Sequence, residues 1–113
     1  MDCIFCKIAA KELPAKIVYE DQDLVAFRDI NAVAPTHILI IPRAHLETVN
    51  DLEDAHAEMI GRLHLAAKRL AAREKLAERG YRLVLNCGPD AGQAVLHLHL
   101  HLVGGRKMSW PPG

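Results

Sequence analysis

The histidines of the C-terminal third most constrain what this 113-residue chain can fold into. His97, His99 and His101 alternate with leucines across residues 96–102. Side chains two residues apart lie on one face of a β-strand, so the pattern predicts a strand with a leucine face and a histidine face. The leucines are expected in the core, whereas packing gives no reason for three imidazoles in register. The pattern indicates chemistry instead: metal binding, proton transfer, or attack on a phosphorus or carbonyl centre.

Composition narrows the class of protein. Fourteen Lys and Arg balance fourteen Asp and Glu, so no net charge favours nucleic acid or a membrane surface as a partner. No apolar run approaches the roughly 20 residues that a bilayer span requires. The sequence opens without a signal-peptide pattern, and its three cysteines, an odd number, argue against a disulfide framework. We expect one cytoplasmic domain, residues 1–113, with neither nucleic acid nor membrane as partner.

Two cysteines near the start of the chain offer half of a metal site. Cys3 and Cys6 have a spacing found in zinc sites and in redox pairs. A redox pair of the thioredoxin type needs a preceding strand and a following helix, and no strand-forming stretch precedes Cys3. Because the chain holds several histidines as further donors, half a zinc site is the preferred interpretation.

The remaining patterns predict an α+β domain. Short apolar runs at 17–20 and 24–28 indicate a hairpin, and 37–42 a strand buried on both faces. A fourth strand, 81–86, is expected to turn through 87–92 into the histidine strand, 93–103. The result is an antiparallel five-stranded sheet whose leucine face meets a helix.

That helix is predicted from about Asp51 to Arg79, since apolar residues recur there at three- and four-residue steps. Asn50 or Asp51 can cap its start and Gly80 can end it. At about 40 Å, the predicted helix is longer than one small sheet needs. Its length and a second apolar patch on another side of the helix both suit a homodimer. That patch comprises Leu65, Ala72 and Leu76. Trp110, in the tail 106–113, is expected to dock near an active site.

At this point the chain resembles the histidine triad (HIT) superfamily, whose signature is His-φ-His-φ-His-φ-φ with φ apolar. His97-Leu-His99-Leu-His101-Leu-Val103 matches it throughout. The similarity is closest to the Hint branch of nucleoside phosphoramidases. Fragments resembling Hint signatures follow in order: Ile4-Phe5-x-Lys7-Ile8, Pro14-Ala15-Lys16-Ile17, Phe27-x-Asp29-Ile30, Ala34-Pro35-Thr36-His37, Gly92-Gln93 and Gly104-Gly105-Arg106 through Trp110-Pro-Pro-Gly113. The resemblance implies a HIT-like fold with one long helix, a short N-terminal helix and two sheets joined across a dimer.

The resemblance also implies a reaction. His99 would attack the α-phosphorus of a purine nucleoside phosphoramidate or nucleotide, AMP or GMP type, and form a covalent nucleotidyl-histidine that water hydrolyses. His101 and His37 would contact phosphoryl oxygens or the leaving group, and His97 would assist by position. Asp29 would hold the ribose hydroxyls, and Asn86 and Gln93 would donate hydrogen bonds to the phosphate. The full set expected to bind the nucleotide is Phe5, Ile8, Phe27, Asp29, Ile30, Asn86, Gly92, Gln93, Val95, His99 and His101. For Phe5, Ile8, Phe27 and Ile30, the sequence alone favours simple core packing.

Two departures from many Hint proteins are informative. Where those proteins carry a hydroxyl residue after Gly-Gln, this chain has Ala94, so a possible transition-state donor is missing. Cysteines at 3 and 6 are shared instead with zinc-bearing HIT relatives, and this similarity implies a structural zinc. Its four ligands would be Cys3, Cys6, His45 and His97. No cofactor would be required for catalysis.

Two rival functions follow from the same residues. In a metallohydrolase, His97, His99 and His101 would bind a catalytic metal, although three alternate strand residues converge poorly. In a non-catalytic nucleotide-binding or scaffolding protein, the pocket would persist without turnover, as Ala94 would allow. A chelator separates the first rival from the phosphoramidase, and a steady-state assay separates the second.

Overall fold

The computed structural model describes residues 2–113 and confirms the α+β prediction. Five antiparallel strands form one sheet in the order β1-β2-β3-β5-β4. In chain order the elements are α1 (Ile4–Ala9), β1 (Ile17–Glu20), β2 (Leu24–Arg28), β3 (Thr36–Pro42), α2 (Ala57–Arg73), β4 (Tyr81–Val84) and β5 (Leu100–Gly104). Within the described part of the chain, no helix has the length and hydropathy to cross a membrane.

The two faces of the sheet are covered by different helices. On one face, Ile38 and Ile40 of β3 pack with leucines of β5 against α2. On the other face, Leu39 and Ile41 of β3 pack with Phe5 of α1. The central strand β3 is buried along its whole length, as the apolar run 37–42 predicts. The alternation of side chains along β3 therefore supplies two separate cores.

The long helix is shorter than its sequence pattern indicates. Two 3-10 turns, Val49–Asp51 and Asp54–His56, precede it. In the first turn, Thr48 and Asp51 close a reciprocal capping box, and the chain then extends at Leu52. The prediction of one helix from Asp51 is therefore wrong, because local side-chain bonds satisfy the backbone before a regular helix begins.

The same helix also ends before its predicted stop. Lys75 adopts a left-handed backbone conformation, with φ of 62°, and the amides of Lys75 and Leu76 donate to the carbonyls of Ala72 and Ala71. This arrangement is a Schellman motif, made here without glycine. It turns Leu76 inward, where it is 5% exposed and leaves no space for a Cβ on Gly104. The predicted patch of Leu65, Ala72 and Leu76 is therefore not a continuous surface, and α2 is about 25 Å long.

The histidine strand is shorter than predicted as well. Strand β5 begins at Leu100, so His97 and His99 precede it, and only His101 lies within the strand. The backbone amide of Leu98 donates to the carbonyl of Leu46 rather than to a neighbouring strand. Strand β4 ends at Val84, which pairs with His101. The connection 85–99 between β4 and β5 therefore takes no part in the pairing of these two strands. The predicted pairing of the last two strands is confirmed, but a 15-residue connection replaces the tight turn.

Candidate active site and metal cluster

The three histidines of the triad have three different environments. His97 is fully buried and faces two cysteines and a histidine. His99 is buried beside the ring of Phe5, with ring centroids 5.1 Å apart. His101 pairs with His37. The leucines of the pattern divide too: three pack on the α2 face, whereas Leu96 is 54% exposed, contrary to the predicted leucine face.

The predicted zinc ligands lie together. The Nδ1 atom of His97 lies 3.3 Å from Cys3 Sγ, 3.5 Å from Cys6 Sγ and 3.2 Å from His45 Nδ1. His45 Nδ1 is 3.3 Å from Cys6 Sγ. A tetrahedral zinc separates sulfur from nitrogen by about 3.5 Å and nitrogen from nitrogen by about 3.3 Å. The spacing of the four donor atoms therefore fits one zinc ion.

The protonation of this cluster also fits a metal. His97 Nε2 lies 2.8 Å from the carbonyl of Pro42, which can only accept, so the ring proton is on Nε2 and the Nδ1 lone pair faces the cysteines. Burial lowers the pKa of the His97 imidazole, which favours this neutral form. Burial and the neighbouring Cys3 raise the pKa of the Cys6 thiol, so a cation is the group that would hold Cys6 as thiolate.

His99 has a defined tautomer. Its Nδ1 donates to the carbonyl of His97 at 2.7 Å, so in the neutral ring the Nε2 atom carries a lone pair. His99 lines the cleft described below. A buried imidazole with one nitrogen tied to a carbonyl and the other unprotonated has the electronic form of a nucleophile.

His101 is held behind the cleft by a chain of polar groups. The amide of Val33 donates to His37 Nδ1, so the proton of neutral His37 is on Nε2, 2.9 Å from His101 Nδ1 and 3.4 Å from Asp29 Oδ2. His101 therefore accepts at Nδ1 and carries its proton on Nε2. Within residues 2–113, that buried Nε2 has no hydrogen-bond partner.

The charge of this pair is set by burial. Burial, with added repulsion from His99 and His37, lowers the pKa of His101 to about 4. Burial also lowers the pKa of His37, against the opposing attraction of Asp29. Both rings are neutral near pH 7, so His101 offers a neutral N–H donor to whatever occupies the cleft.

One cleft of about 490 Å³ unites most of the predicted binding residues. It lies between α1, β2 and the connection that precedes β5. Those predicted residues that line it are Phe5, Ile8, Phe27, Asp29, Ile30, Asn86, Gly92, Val95, His99 and His101. The wall of the cleft is mainly apolar beside α1 and polar at His99, His101 and Asn86. The Asn86 side chain forms no hydrogen bond with the described residues.

Two predicted residues are placed differently. Gln93 does not line the cleft: its Nε2 donates to the carbonyls of Glu47 and Val95, and its Oε1 accepts from the Gly88 amide. The Gln93 side chain therefore stabilises the connection between β4 and β5 and binds it to Glu47. His37 does not line the cleft itself but contacts His101 and Asp29, which do. Ile30 does line the cleft, but it is 94% exposed and lies at the mouth.

Sequence patterns did not indicate several other residues of the cleft. These are Ile4, Leu13, Pro14, Ala15, Arg28, Asn31 and Leu39. They lie on four separate stretches of chain, and Ile4, Pro14 and Ala15, which fall within fragments resembling Hint signatures, were given no role in the site. Val33 and Pro42 were missed for a different reason, since they act through backbone groups.

The rival of a catalytic metal on the triad loses its geometric basis. Among the described residues, the two groups of donors within 4.8 Å of one another are Cys3, Cys6, His45 and His97, and Asp29, His37 and His101. Neither contains more than one triad histidine, and His99 belongs to neither.

Comparison with known proteins agrees with this geometry. The HIT domain model matches residues 10–108. The chain belongs to the HIT domain family. It is 53% identical to a 14 kDa zinc-binding protein of Zea mays, over 97% of this chain and 87% of the relative. It is 48% identical to adenylylsulfatase HINT1 of Arabidopsis thaliana, over 97% and 76%. A HIT family hydrolase of Legionella pneumophila has a TM-score of 0.98 at 54% identity, with coverage of 99% and 100%.

These findings confirm the resemblance to the HIT superfamily and its Hint-like branch. They also confirm the predicted fold of the single chain and the prediction of a hydrolase. The roles of individual residues and the joining of two sheets across a dimer stay predictions.

Proposed function

We propose that this HIT hydrolase acts on purine nucleoside phosphoramidates and related nucleotides at the α-phosphorus. The observation that carries the proposal is the defined tautomer of His99. Its Nδ1 is tied to the His97 carbonyl and its Nε2 lone pair is available at a cleft of nucleotide size. Covalent catalysis of this kind divides one difficult displacement into two easier ones.

In the first step, His99 Nε2 forms a bond to the α-phosphorus while the P–N bond of the substrate breaks. The departing amine takes a proton from solvent, and a nucleotidyl-imidazole remains. In the second step, water adds to phosphorus and releases a proton to solvent, the P–N bond to His99 breaks, and the nucleoside monophosphate leaves. Charge grows on the phosphoryl oxygens and the leaving nitrogen, and the neutral N–H of His101 would stabilise it.

Different residues of the cleft would bind the base, the ribose and the phosphate of the nucleotide. Phe5, Ile8 and Phe27 would form an apolar slot for the base, since they are buried at one wall. Asp29 would receive the ribose hydroxyls, although one of its oxygens already accepts from the Asn31 amide. Asn86 would donate to the phosphate, because its amide is not used elsewhere in the described structure.

A relative suggests a second leaving group besides an amine. The Arabidopsis relative is named an adenylylsulfatase, so an adenylyl sulfate is a second substrate to test beside adenosine phosphoramidate. Both substrates carry an adenylyl group, and the proposal requires that both give the same adduct on His99.

Intact-protein mass spectrometry tests the reaction directly. After mixing with a slow nucleoside phosphoramidate, we expect a mass increase of one nucleoside monophosphate that is acid-labile and maps to His99. His99→Gly should bind nucleotide, form no adduct and lose turnover by about 10⁴-fold or more. His101→Ala should still form the adduct, with turnover slower by about 10²-fold.

His64→Ala is the matched control, because His64 is exposed on α2 and should label at the wild-type rate. An adduct on another residue, or rapid turnover by His99→Gly, would overturn the mechanism. Nucleotide binding without any adduct or turnover in the wild type would favour the alternative of a non-catalytic nucleotide-binding protein, which Ala94 supports.

We also propose that Cys3, Cys6, His45 and His97 bind one structural zinc. The distances and tautomer described above support it, and the maize relative is named a zinc-binding protein. A closed set of two thiolates and two imidazoles stabilises folded segments and leaves no position for substrate. Metal analysis of protein purified without chelator should give about one zinc per chain. Protein that takes up no zinc would contradict this.

We propose a homodimer from the edge of the sheet and the C-terminal tail, since α2 is shorter than the helix on which the sequence-based prediction relied. β4 is an edge strand, and an unpaired edge can extend a sheet into a second copy. Trp110 is 81% exposed in the single chain, so the partner's site is where the tail 106–113 would dock. Light scattering at micromolar concentration should give twice the mass of one chain. A 12.5 kDa species would contradict the dimer.

A further inference from the structure

Loop 29–35, which joins β2 to β3, carries two residues of the proposed nucleotide site. Asp29 directly follows the last residue of β2, and Ile30 lies at the mouth of the cleft. The loop contains turns and bends but no helix or strand. Because few backbone bonds hold such a segment, the position of Asp29 depends on how firmly the two ends of the loop are fixed.

Both ends of this loop are bonded to one carboxylate. Arg28, the last residue of β2, donates to Oε1 and Oε2 of Glu74 over 2.9 and 3.0 Å. Thr36, the first residue of β3, donates its hydroxyl to Glu74 Oε1 over 3.1 Å. A bidentate bond between guanidinium and carboxylate fixes direction as well as distance. The side chain of Glu74 therefore holds the two strand ends together at the base of the loop.

Glu74 acts from α2 rather than from within the cleft. It is the C-cap residue of α2 and does not line the cleft. Successive side chains along a strand point to opposite faces, so Arg28 and Thr36 extend toward α2. Asp29 and His37 each come next in sequence, and their side chains approach within 3.4 Å on the other side of the sheet. Bonds made on one face of the sheet therefore fix residues on the other face.

The helix itself gives no reason for a carboxylate at this position. The C-terminal end of a helix carries partial negative charge, so a glutamate at the end of α2 is unfavourable on local grounds. Its bonds to Arg28 offset this cost and hold the pKa of Glu74 below its ordinary value. The ion pair is partly buried, with 23% of the Glu74 side chain exposed. The bonds to β2 and β3 therefore explain Glu74, whereas helix formation does not.

We propose that Glu74 is a positioning residue for Asp29 and thereby sets the preference of the enzyme for substrates that carry ribose hydroxyls. The inference rests on the proposed nucleotide site, in which Asp29 receives those hydroxyls. With the Glu74 carboxylate in place, the ends of loop 29–35 are fixed and Asp29 faces the cleft at a defined position. Without the carboxylate, the loop ends separate and the bonds from the ribose to Asp29 lengthen. Hydrogen bonds to a charged group are strong, but they weaken steeply with poor geometry.

Glu74→Gln tests the inference with little change in side-chain size. The amide has one acceptor atom where the carboxylate has two, so the bidentate bond to Arg28 is lost. Thr36→Val is a second variant that removes only the hydroxyl bond, and Thr36→Ser keeps a hydroxyl as its conservative counterpart. Asp23→Asn is the matched control, because Asp23 forms an exposed ion pair with Arg62 of α2 over 2.7 Å, away from loop 29–35.

Each protein is compared on adenosine phosphoramidate and on the analogue that lacks both ribose hydroxyls, and the affinities of the two corresponding monophosphates are measured alongside. We expect Glu74→Gln to lower the preference for the ribose substrate by about 10-fold, through KM rather than kcat. The analogue should bind equally well to Glu74→Gln and wild type. Thr36→Val should lower the preference by about 3-fold, whereas Thr36→Ser and Asp23→Asn should not change it.

A double mutant separates positioning of Asp29 from any other effect of the carboxylate. Asp29→Asn should abolish most of the preference for ribose hydroxyls. Adding Glu74→Gln to Asp29→Asn should then lower the preference no further, because the two changes act through the same hydrogen bonds. Independent, multiplying effects of the two substitutions would contradict the proposed role of Glu74.

An unchanged preference in folded Glu74→Gln, or an equal loss of affinity for both monophosphates, would overturn the inference, because the carboxylate would then have only a structural role. If Glu74→Gln does not fold, Thr36→Val against Thr36→Ser gives the same comparison. A wild type without preference for ribose hydroxyls would overturn the inference together with the proposed role of Asp29. Failure of wild type to label His99 would contradict the proposed function instead, and the affinities of the monophosphates would still decide this inference.

Discussion

The two faces of the sheet are built from the same strands and differ in how completely they are covered. On the α2 face, a helix of 17 residues contributes five of the thirteen buried apolar residues that form the cluster among the described residues. On the α1 face, a helix of six residues contributes three of a cluster of seven, and beside it lies the cleft that His99 and His101 line. The difference shows how a small domain places polar chemistry on one side of a sheet while the other side supplies most of the buried apolar contact.

The largest expected effect belongs to the α2 face. Leu70→Ala should lower the free energy of unfolding by about 2–5 kcal/mol, because Leu70 is 2% exposed in the core beneath α2. Zinc content and labelling of His99 should be unchanged in the folded protein. Urea denaturation measures the free energy of unfolding, and mass spectrometry measures the labelling of His99. Leu65→Ala, at a position 48% exposed, should cost no more than about 0.5 kcal/mol. A Leu70→Ala protein that is fully stable, or that is folded but does not label, would break the comparison.

The next effect belongs to His101 on the α1 face. Its pKa of about 4 lies below the value of about 6.5 in the unfolded chain, so the unfolded state binds more protons between these values. The stability that neutral His101 contributes is present above pH 6.5 and is lost as pH falls toward 4. Between pH 7 and pH 5, the loss should be at most about 2 kcal/mol.

Burial causes most of this shift in the pKa of His101, and the groups that face it, His99, His37 and Asp29, modify it. Protonation of the proposed metal ligands is superimposed on this dependence. Urea denaturation of wild type and His101→Asn at both pH values separates the two, since the ligands are common to both proteins. His64→Asn should behave as wild type. An identical loss of stability in wild type and His101→Asn would show that His101 is not protonated on unfolding.

The smallest effect concerns a single missing donor. Ala94 is exposed and lines the cleft, so Ala94→Ser adds a hydroxyl beside the proposed phosphate position. We expect turnover to rise by about 10-fold, less than the 10²–10³ that removal of an established donor costs. Ala91→Ser, in the same connection between β4 and β5 but outside the cleft, should change nothing. Unchanged turnover in Ala94→Ser would mean that His101 and Asn86 already suffice.

Local patterns in the sequence predicted the strands well and the helix ends poorly. Short apolar runs identified β1 to β3 almost to the residue, because a strand that is buried on both faces is apolar along its length. The start of α2 at Ala57 follows two 3-10 turns, the first of which is closed by a side-chain cap at Thr48, and its end depends on a left-handed Lys75. Neither requires a glycine, so the expected stop at Gly80 was misleading. The predicted cytoplasmic location, dimer and tail docking stay predictions.

The sequence by itself determined the family, the separation of Leu98, Leu100 and Leu102 from the histidines, and which four Cys and His residues form the cluster. These follow from residue types at fixed spacing, or from a resemblance carried by such residues. Only the tertiary structure decided what each histidine does. Cys3 and His97 are 94 positions apart, and the tautomers of His97 and His99 are fixed by the carbonyls of Pro42 and His97. Spacing along the chain specifies which side chains share a face, but a proton's position on an imidazole depends on the nearest acceptor, which only the folded chain provides.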